Sequence, residues 1–161
     1  MLKKSTAKKS KKIAKKIVMV SGGFDPVHIG HVRMFREAKK LGDELVVVLN
    51  NDNWLKAKKG YFFMPEKQRK EIIEAIKYVD RVVLTEHKPG TKEMGVMSAL
   101  KKLKPNIFAK SGDRNAGNIP EYEFCKKMKI EIVFGVTPHA PVHSSELVKN
   151  ALKNFSNIQK K

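Results

Sequence analysis

The chain has 161 residues, 41% of them apolar, and a formal net charge of +18. That length suffices for one domain with a packed core and excludes two ordinary ones. No stretch approaches the ~20 apolar residues of a membrane-spanning helix, and one cysteine, Cys125, excludes an intrachain disulfide and agrees with a reducing, cytoplasmic setting.

Much of the charge is local, with Lys3, Lys4, Lys8, Lys9, Lys11, Lys12, Lys15 and Lys16 all preceding the first apolar run. Residues 1–16 are expected to form a disordered basic tail, because they have little apolar surface to offset their ordering entropy. A solvated arm is its main reading. A nucleic-acid contact by counterion release carries less weight, since no aromatic residues interleave the lysines. The apolar run at 17–20 is too short for a signal-peptide core, and the tail uses lysine where transit peptides use arginine.

Residues 17–155 read as one α/β domain, and 156–161 as a frayed end. Ile17 to Val20 form a short buried strand, and Val32, Met34, Phe35, Ala38 and Leu41 recur at helical spacing after it. The near-continuous apolar run from Glu44 to Leu49 predicts a central parallel strand. A polar loop is expected from Asn50 to Phe63, then a helix opened by Pro65 with Ile72, Ile73, Ala75 and Ile76 facing the core. Strands follow at 81–85, 106–109 and 130–136. Helices are predicted through Met94, Met97, Leu100 and Leu103, from Pro120 to Met128 with Cys125 as a small buried hydrophobe, and from Ser144, whose hydroxyl suits a cap. The alternation implies a single Rossmann-like domain, a five-stranded parallel sheet with helices on both faces.

Polar residues collect at the turns that such a topology gathers on one sheet edge. Gly22, Gly23, His28, Gly30 and His31 stand where the first strand hands over to a helix, a place suited to phosphate. At a phosphoryl centre, His28 and His31 would donate hydrogen bonds, and Lys58, with Lys56 or Lys59 nearby, would neutralise other phosphates. Ser144 and Ser145 would hold the triphosphate end at a helix N-terminus, and Asp113 would accept from a ribose or an exocyclic amine. No general base is required if the nucleophile is an ionised phosphate monoester. His87, His139 and His143 show no metal-ligand spacing.

The run Gly23-Phe24-Asp25-Pro26-Val27-His28-Ile29-Gly30-His31 resembles the His-x-Gly-His signature of the cytidylyltransferase-like nucleotidyltransferases. Segments at 35–43, 58–61 and 66–80 look like glycerol-3-phosphate cytidylyltransferases and the adenylyltransferase domain of ADP-heptose synthesis, and 103–113 looks closer to the latter. The resemblance implies transfer of CMP or AMP from CTP or ATP to a phosphorylated small molecule, a sugar or polyol phosphate, with release of pyrophosphate. It implies that His28, His31 and Lys58 act at the phosphates, that Gly23, Phe24, Gly30, Asp113, Ser144 and Ser145 bind the nucleotide, and that Lys56 holds the acceptor. It also implies magnesium held mainly by the nucleotide phosphates, with no protein metal cage, and it allows a homodimer for which no residue pattern argues independently. Three departures stand out. Gly23 replaces a Thr, Ser or Cys, His143 and Glu146 flank Ser144-Ser145, and His139 occupies the place of an arginine in the glycerol-type enzymes.

Two other readings are weaker. The letters His-Ile-Gly-His also occur in class I aminoacyl-tRNA synthetases, but this chain lacks a Lys-Met-Ser-Lys-Ser loop and is far too short to charge tRNA. A nucleotide-binding or nucleic-acid-associated protein that kept the fold without turnover would find its support in Ser111 and Glu146 beside the phosphate site.

Overall fold

The computed structural model describes residues 14–112, 114–137 and 143–158; Asp113, His139, most of the basic tail and residues 159–161 lie outside them. The elements are β1 (Ile17–Gly22), α1 (Ile29–Lys39), β2 (Glu44–Leu49), α2 (Asp52–Lys59), α3 (Glu66–Glu74), β3 (Arg81–Leu84), α4 (Met97–Leu103), β4 (Ile107–Ala109), α5 (Tyr122–Lys127), β5 (Glu131–Val133) and α6 (Ser144–Ile158). Among the described residues five strands form one sheet in the order β3-β2-β1-β4-β5, each neighbouring pair parallel. The chain therefore runs outward from β1 to one edge, then returns to β1 and runs to the other. Such a reversal opens a crevice at the carboxyl ends of the strands.

Alternation along the strands splits the core between the two sheet faces. Val18, Val20, Val47 and Leu49 pack with Phe35 and Ala38 of α1 and Ile73 of α3. Met19, Val48 and Phe108 pack with Leu100 of α4 and Cys125 of α5, with Met128 against them. Both faces are covered, and that coverage is why the central strands read as continuous apolar runs. The expected α/β architecture is the one observed.

Local departures have physical causes. Within the expected loop 50–63 lies α2, capped by the Asn51 side chain, which accepts from the Trp54 amide at 3.1 Å, and stopped by Gly60 at φ 82°. In α3 only one of two adjacent isoleucines can face inward: Ile73 is fully buried and Ile72 is 41% exposed. Strand β5 is shorter than expected, with Gly135 in the left-handed region two residues past its end. The last helix, α6, continues to Ile158 and buries none of its residues. Ser144 is its first residue and not its cap. The cap position falls to His143, whose carbonyl accepts from the Glu146 and Leu147 amides while Glu146 Oε2 accepts from the His143 amide at 3.3 Å. Among the described residues no helix is long and apolar enough to cross a membrane.

Candidate active site

The turn from β1 to α1 is built around the Phe24 ring. Phe24 adopts φ 48°, a left-handed conformation that costs a non-glycine residue about 1–2 kcal/mol. Burial offsets that cost: the ring stands edge-on to His31 and Phe35, with centroids 4.9 and 5.2 Å away. Gly22 makes room for it, since a Cβ there would lie 2.8 Å from the ring. The buried Asp25 carboxylate then accepts from the Phe63 and Met64 amides, both at 2.7 Å, and ties the turn to the segment before α3.

The two histidines cap α1 reciprocally. His28 Nδ1 accepts from the Gly30 amide at 3.1 Å, and His31 Nδ1 accepts from the His28 amide at 3.3 Å. With both Nδ1 atoms accepting, each neutral ring carries its proton on Nε2. The rings are stacked at 3.8 Å. Burial, then the charge of His143, holds His28 below the ordinary imidazole value. Burial, then His28 and Lys59, pushes His31 down to about 3. At neutral pH the pair therefore offers two uncharged Nε2–H donors beside a helix N-terminus.

One buried side chain holds the turn to its neighbours. Arg69 of α3 is 0% exposed. Its Nη1 donates to the Gly23 carbonyl at 2.6 Å and the Asn50 carbonyl at 2.9 Å, Nε to the Met64 carbonyl at 2.8 Å, and Nη2 to Asp52 Oδ1 at 2.7 Å. These bonds fix α2 over the crevice. Lys58 stands with Nζ 4.5 Å from the Trp54 ring centroid. Burial, then Arg114 and Lys59, lowers its pKa, against the opposing pull of Glu121.

At the end of β4, Lys110 is largely buried, with Nζ 3.3 Å from Ser21 Oγ, to which it donates, and 3.7 Å from Glu121 Oε2. Burial lowers its pKa and the Glu121 carboxylate opposes that. The other Glu121 oxygen accepts from the buried Val96 amide at 3.1 Å. Ser111 is bound to Thr137 through its hydroxyl. Across the crevice, Ser144 Oγ donates to the Pro26 carbonyl at 3.0 Å, pinning the start of α6 to the β1–α1 turn.

Together these elements enclose a cavity of about 630 Å³, within the usual range for a small-molecule site. Of the residues expected from the sequence, Gly23, Phe24, His28, Gly30 and His31 line it from the first turn, Lys58 from α2, and Ser144 and Ser145 from α6. Asp113 lies outside the described residues. Lys56 does not line the cavity: two positions from Lys58 is about 200° around a helix, and Lys56 Nζ instead lies 5.3 Å from the Phe62 ring centroid. Lys59, the alternative to Lys56 beside Lys58, lines it; so do Asn50, Trp54, Lys110, Arg114 and Glu121, five residues to which the sequence assigns no site role. Gly23 has a packing reason, because a Cβ there would approach Leu55 of α2 to 2.8 Å. His87 is used internally: Nδ1 pairs with the Thr85 hydroxyl at 2.9 Å and Nε2 with the Gly95 carbonyl at 3.1 Å. Among the described lining residues, Lys58, Lys59, Lys110 and Arg114 face the single carboxylate of Glu121.

A crevice at the reversal point of a parallel sheet, with two neutral imidazole donors at a helix N-terminus and a surround of cations, defines an α/β protein that binds nucleotide phosphates. The family model described as cytidylyltransferase-like matches residues 19–151, and the chain belongs to that family. An FAD synthase of Pyrococcus abyssi is 40% identical over 99 residues, 61% of this chain and 64% of that protein, so the alignment spans less than two thirds of the relative. An FAD synthase of Thermococcus sibiricus is 34% identical over 139 residues, 85% of this chain and 89% of that one. Among solved structures, the lipopolysaccharide core biosynthesis protein of Thermoplasma volcanium superposes with a TM-score of 0.63 at 32% identity, covering 75% of this chain and 96% of that chain.

Proposed function

We propose that this protein is an adenylyltransferase that joins ATP and FMN into FAD with release of pyrophosphate. The observation that carries the reading is the pair of neutral Nε2–H donors at the start of α1, facing a cation-lined cavity, in a chain similar to FAD synthases over most of its length. That likeness moves the acceptor from the expected sugar or polyol phosphate to FMN, also a phosphate monoester, and favours ATP over CTP. An oxygen of the FMN phosphate attacks the α-phosphorus of ATP, the bond from that phosphorus to the β-bridging oxygen breaks, and pyrophosphate leaves with the electron pair. No proton need be removed, because the monoester is already ionised. His28 and His31 donate to the oxygens that gain charge, while Lys58 and Lys59 draw the β- and γ-phosphates. Ser144, Ser145 and the free amides of α6 bind the far end of the triphosphate.

Among the described residues no three His, Cys, Asp or Glu side chains are grouped to hold a metal ion. The cavity suits magnesium that enters on the triphosphate and neutralises its oxygens, the usual mode for this ion.

A panel of ATP and CTP against FMN, sugar phosphates and polyol phosphates, followed by pyrophosphate release, tests the reading. Turnover is expected with ATP and FMN, falling ~100- to 1,000-fold in His28→Ala and in His31→Ala. Lys56→Ala, on the outer face of α2, should stay within about twofold of the parent. Turnover with a sugar phosphate and none with FMN would overturn the acceptor; rates equal to the parent's in both histidine variants would overturn the mechanism.

A further inference from the structure

Two buried side-chain oxygens among the described residues have no hydrogen-bond partner: Asn50 Oδ1 and Glu121 Oε2. Their residues are 4% and 3% exposed, and both line the cavity. Glu121 Oε2 has an ion-pair partner in Lys110 Nζ at 3.7 Å, whereas Asn50 Oδ1 has none. A buried acceptor left without a donor costs about 1–3 kcal/mol, so Asn50 Oδ1 at the cavity wall points to a ligand that completes it.

The wall they share is distinct from the histidine wall. By strand alternation Ser21, Asn50 and Lys110 follow Met19, Val48 and Phe108, the residues of the sheet face that α4 and α5 cover. His28 and His31 belong to α1, which packs on the opposite face. The Lys110–Glu121 pair is neutral as a whole, so it offers little attraction to phosphate. Trp54, Met94, Val96, Ile119 and Pro120 supply apolar lining, with Arg114 and Asn118 among the polar lining residues and the charge of Arg114 acting on Lys110. A neutral polar floor with apolar sides fits a flat aromatic ring system that has a polar edge.

We propose that this recess binds the isoalloxazine ring of FMN and reads its pyrimidine edge, with Asn50 Oδ1 accepting from N3–H and Lys110, held by Glu121, donating to a flanking carbonyl. The assignment rests on the reading of the protein as an FAD synthase and says which wall takes which substrate. The acceptor phosphate reaches the histidines at the mouth of the recess, and ATP, with its triphosphate end at Ser144 and Ser145, occupies the rest of the cavity. Glu121 serves as a positioning residue here. Its Oε2, 3.7 Å from Lys110 Nζ, keeps Lys110 directed into the recess while its other oxygen fastens the Val96 amide. The adenine edge also combines a donor with an acceptor, which makes it the competing occupant.

The test is binding of FMN and 3-methyl-FMN, followed by flavin fluorescence in the full chain, with ATP affinity measured separately by calorimetry. The parent is expected to bind 3-methyl-FMN roughly 10- to 100-fold more weakly than FMN, because the methyl group removes the donor. In Asn50→Leu, which leaves the backbone groups of Asn50 in place, FMN should fall to the level of its methyl analogue while ATP affinity is unchanged. Glu121→Gln should raise KM for FMN with little change for ATP. Equal binding of the two flavins by the parent overturns the assignment and leaves the FAD synthase reading standing. Loss of ATP affinity together with FMN affinity in Asn50→Leu also overturns it, since the recess would then read adenine or serve only the fold. Absence of any FMN binding overturns both.

Discussion

The two walls of the cavity are made in opposite ways. The histidine wall is one continuous turn, Gly22 to His31, whose cap bonds span three residues at most. The opposite wall draws Ser21, Asn50, Lys110 and Glu121 from four places in the chain, with Lys110 bonded to Ser21 across 89 residues and paired with Glu121 across 11. One wall bears uncharged donors set at a helix end, suited to oxygens that gain charge. The other bears a neutralised ion pair and an unfilled acceptor, Asn50 Oδ1, suited to a fixed neutral edge. Catalysis can be built locally, from a turn that positions its own groups, whereas a selective acceptor site needs the whole sheet to be in register.

Arg69 is where the two walls meet, since one of its nitrogens bonds both the Gly23 and the Asn50 carbonyl. Arg69→Met should cost about 3–5 kcal/mol of stability, because it orphans buried carbonyls and the Asp52 carboxylate at once. Urea unfolding measures this directly, and nucleotide and flavin binding should weaken together in the folded fraction. Loss of flavin binding alone would break the comparison, by showing that the histidine turn stands without Arg69.

A smaller effect separates the walls by pH. His31 has a folded pKa of about 3, below the unfolded imidazole value of 6.5, so the folded protein resists the proton that the unfolded chain accepts. Its contribution is complete above pH 6.5 and is lost as pH falls towards 3. Between pH 6.5 and 5 the ligand-free protein should lose about 2 kcal/mol through this group. His31→Asn should show a correspondingly shallower decline in thermal stability over that interval. Parallel declines would mean that His31 is not held neutral by its surroundings.

The unequal construction of the walls also explains what the sequence revealed. The histidine turn was legible because its residues are adjacent and of unusual type. The parallel sheet was legible because doubly covered strands leave unbroken apolar runs such as Leu45 to Leu49. Helix α2 was hidden because only Trp54 and Leu55 among its residues are buried, though Asn51 and Gly60 were cap signals available to be read. Between Lys56 and Lys59 the sequence leaves the choice open, and helical phase decides it: Lys59 lines the cavity and Lys56 does not. Glu146 looked like a flaw in a phosphate signature, and in the structure it completes the cap of α6. Asn50, Lys110 and Glu121 are ordinary residues in sequence, and only the strand register and the α5 approach give them one address. Helix α6 shows the converse: its apolar residues Leu152, Phe155 and Ile158 have the spacing of a core face, yet each is more than 60% exposed.

The central claim is that an FMN phosphate oxygen displaces pyrophosphate from ATP beside His28 and His31. It is tested most directly with FMN whose terminal phosphate oxygens are labelled with heavy oxygen, followed by mass spectrometry of both products. The account predicts FAD that keeps the whole label and unlabelled pyrophosphate, formed one to one and lost in step in the His31→Ala variant. Label in the pyrophosphate, or FAD formed at the parental rate without the histidine, would contradict it.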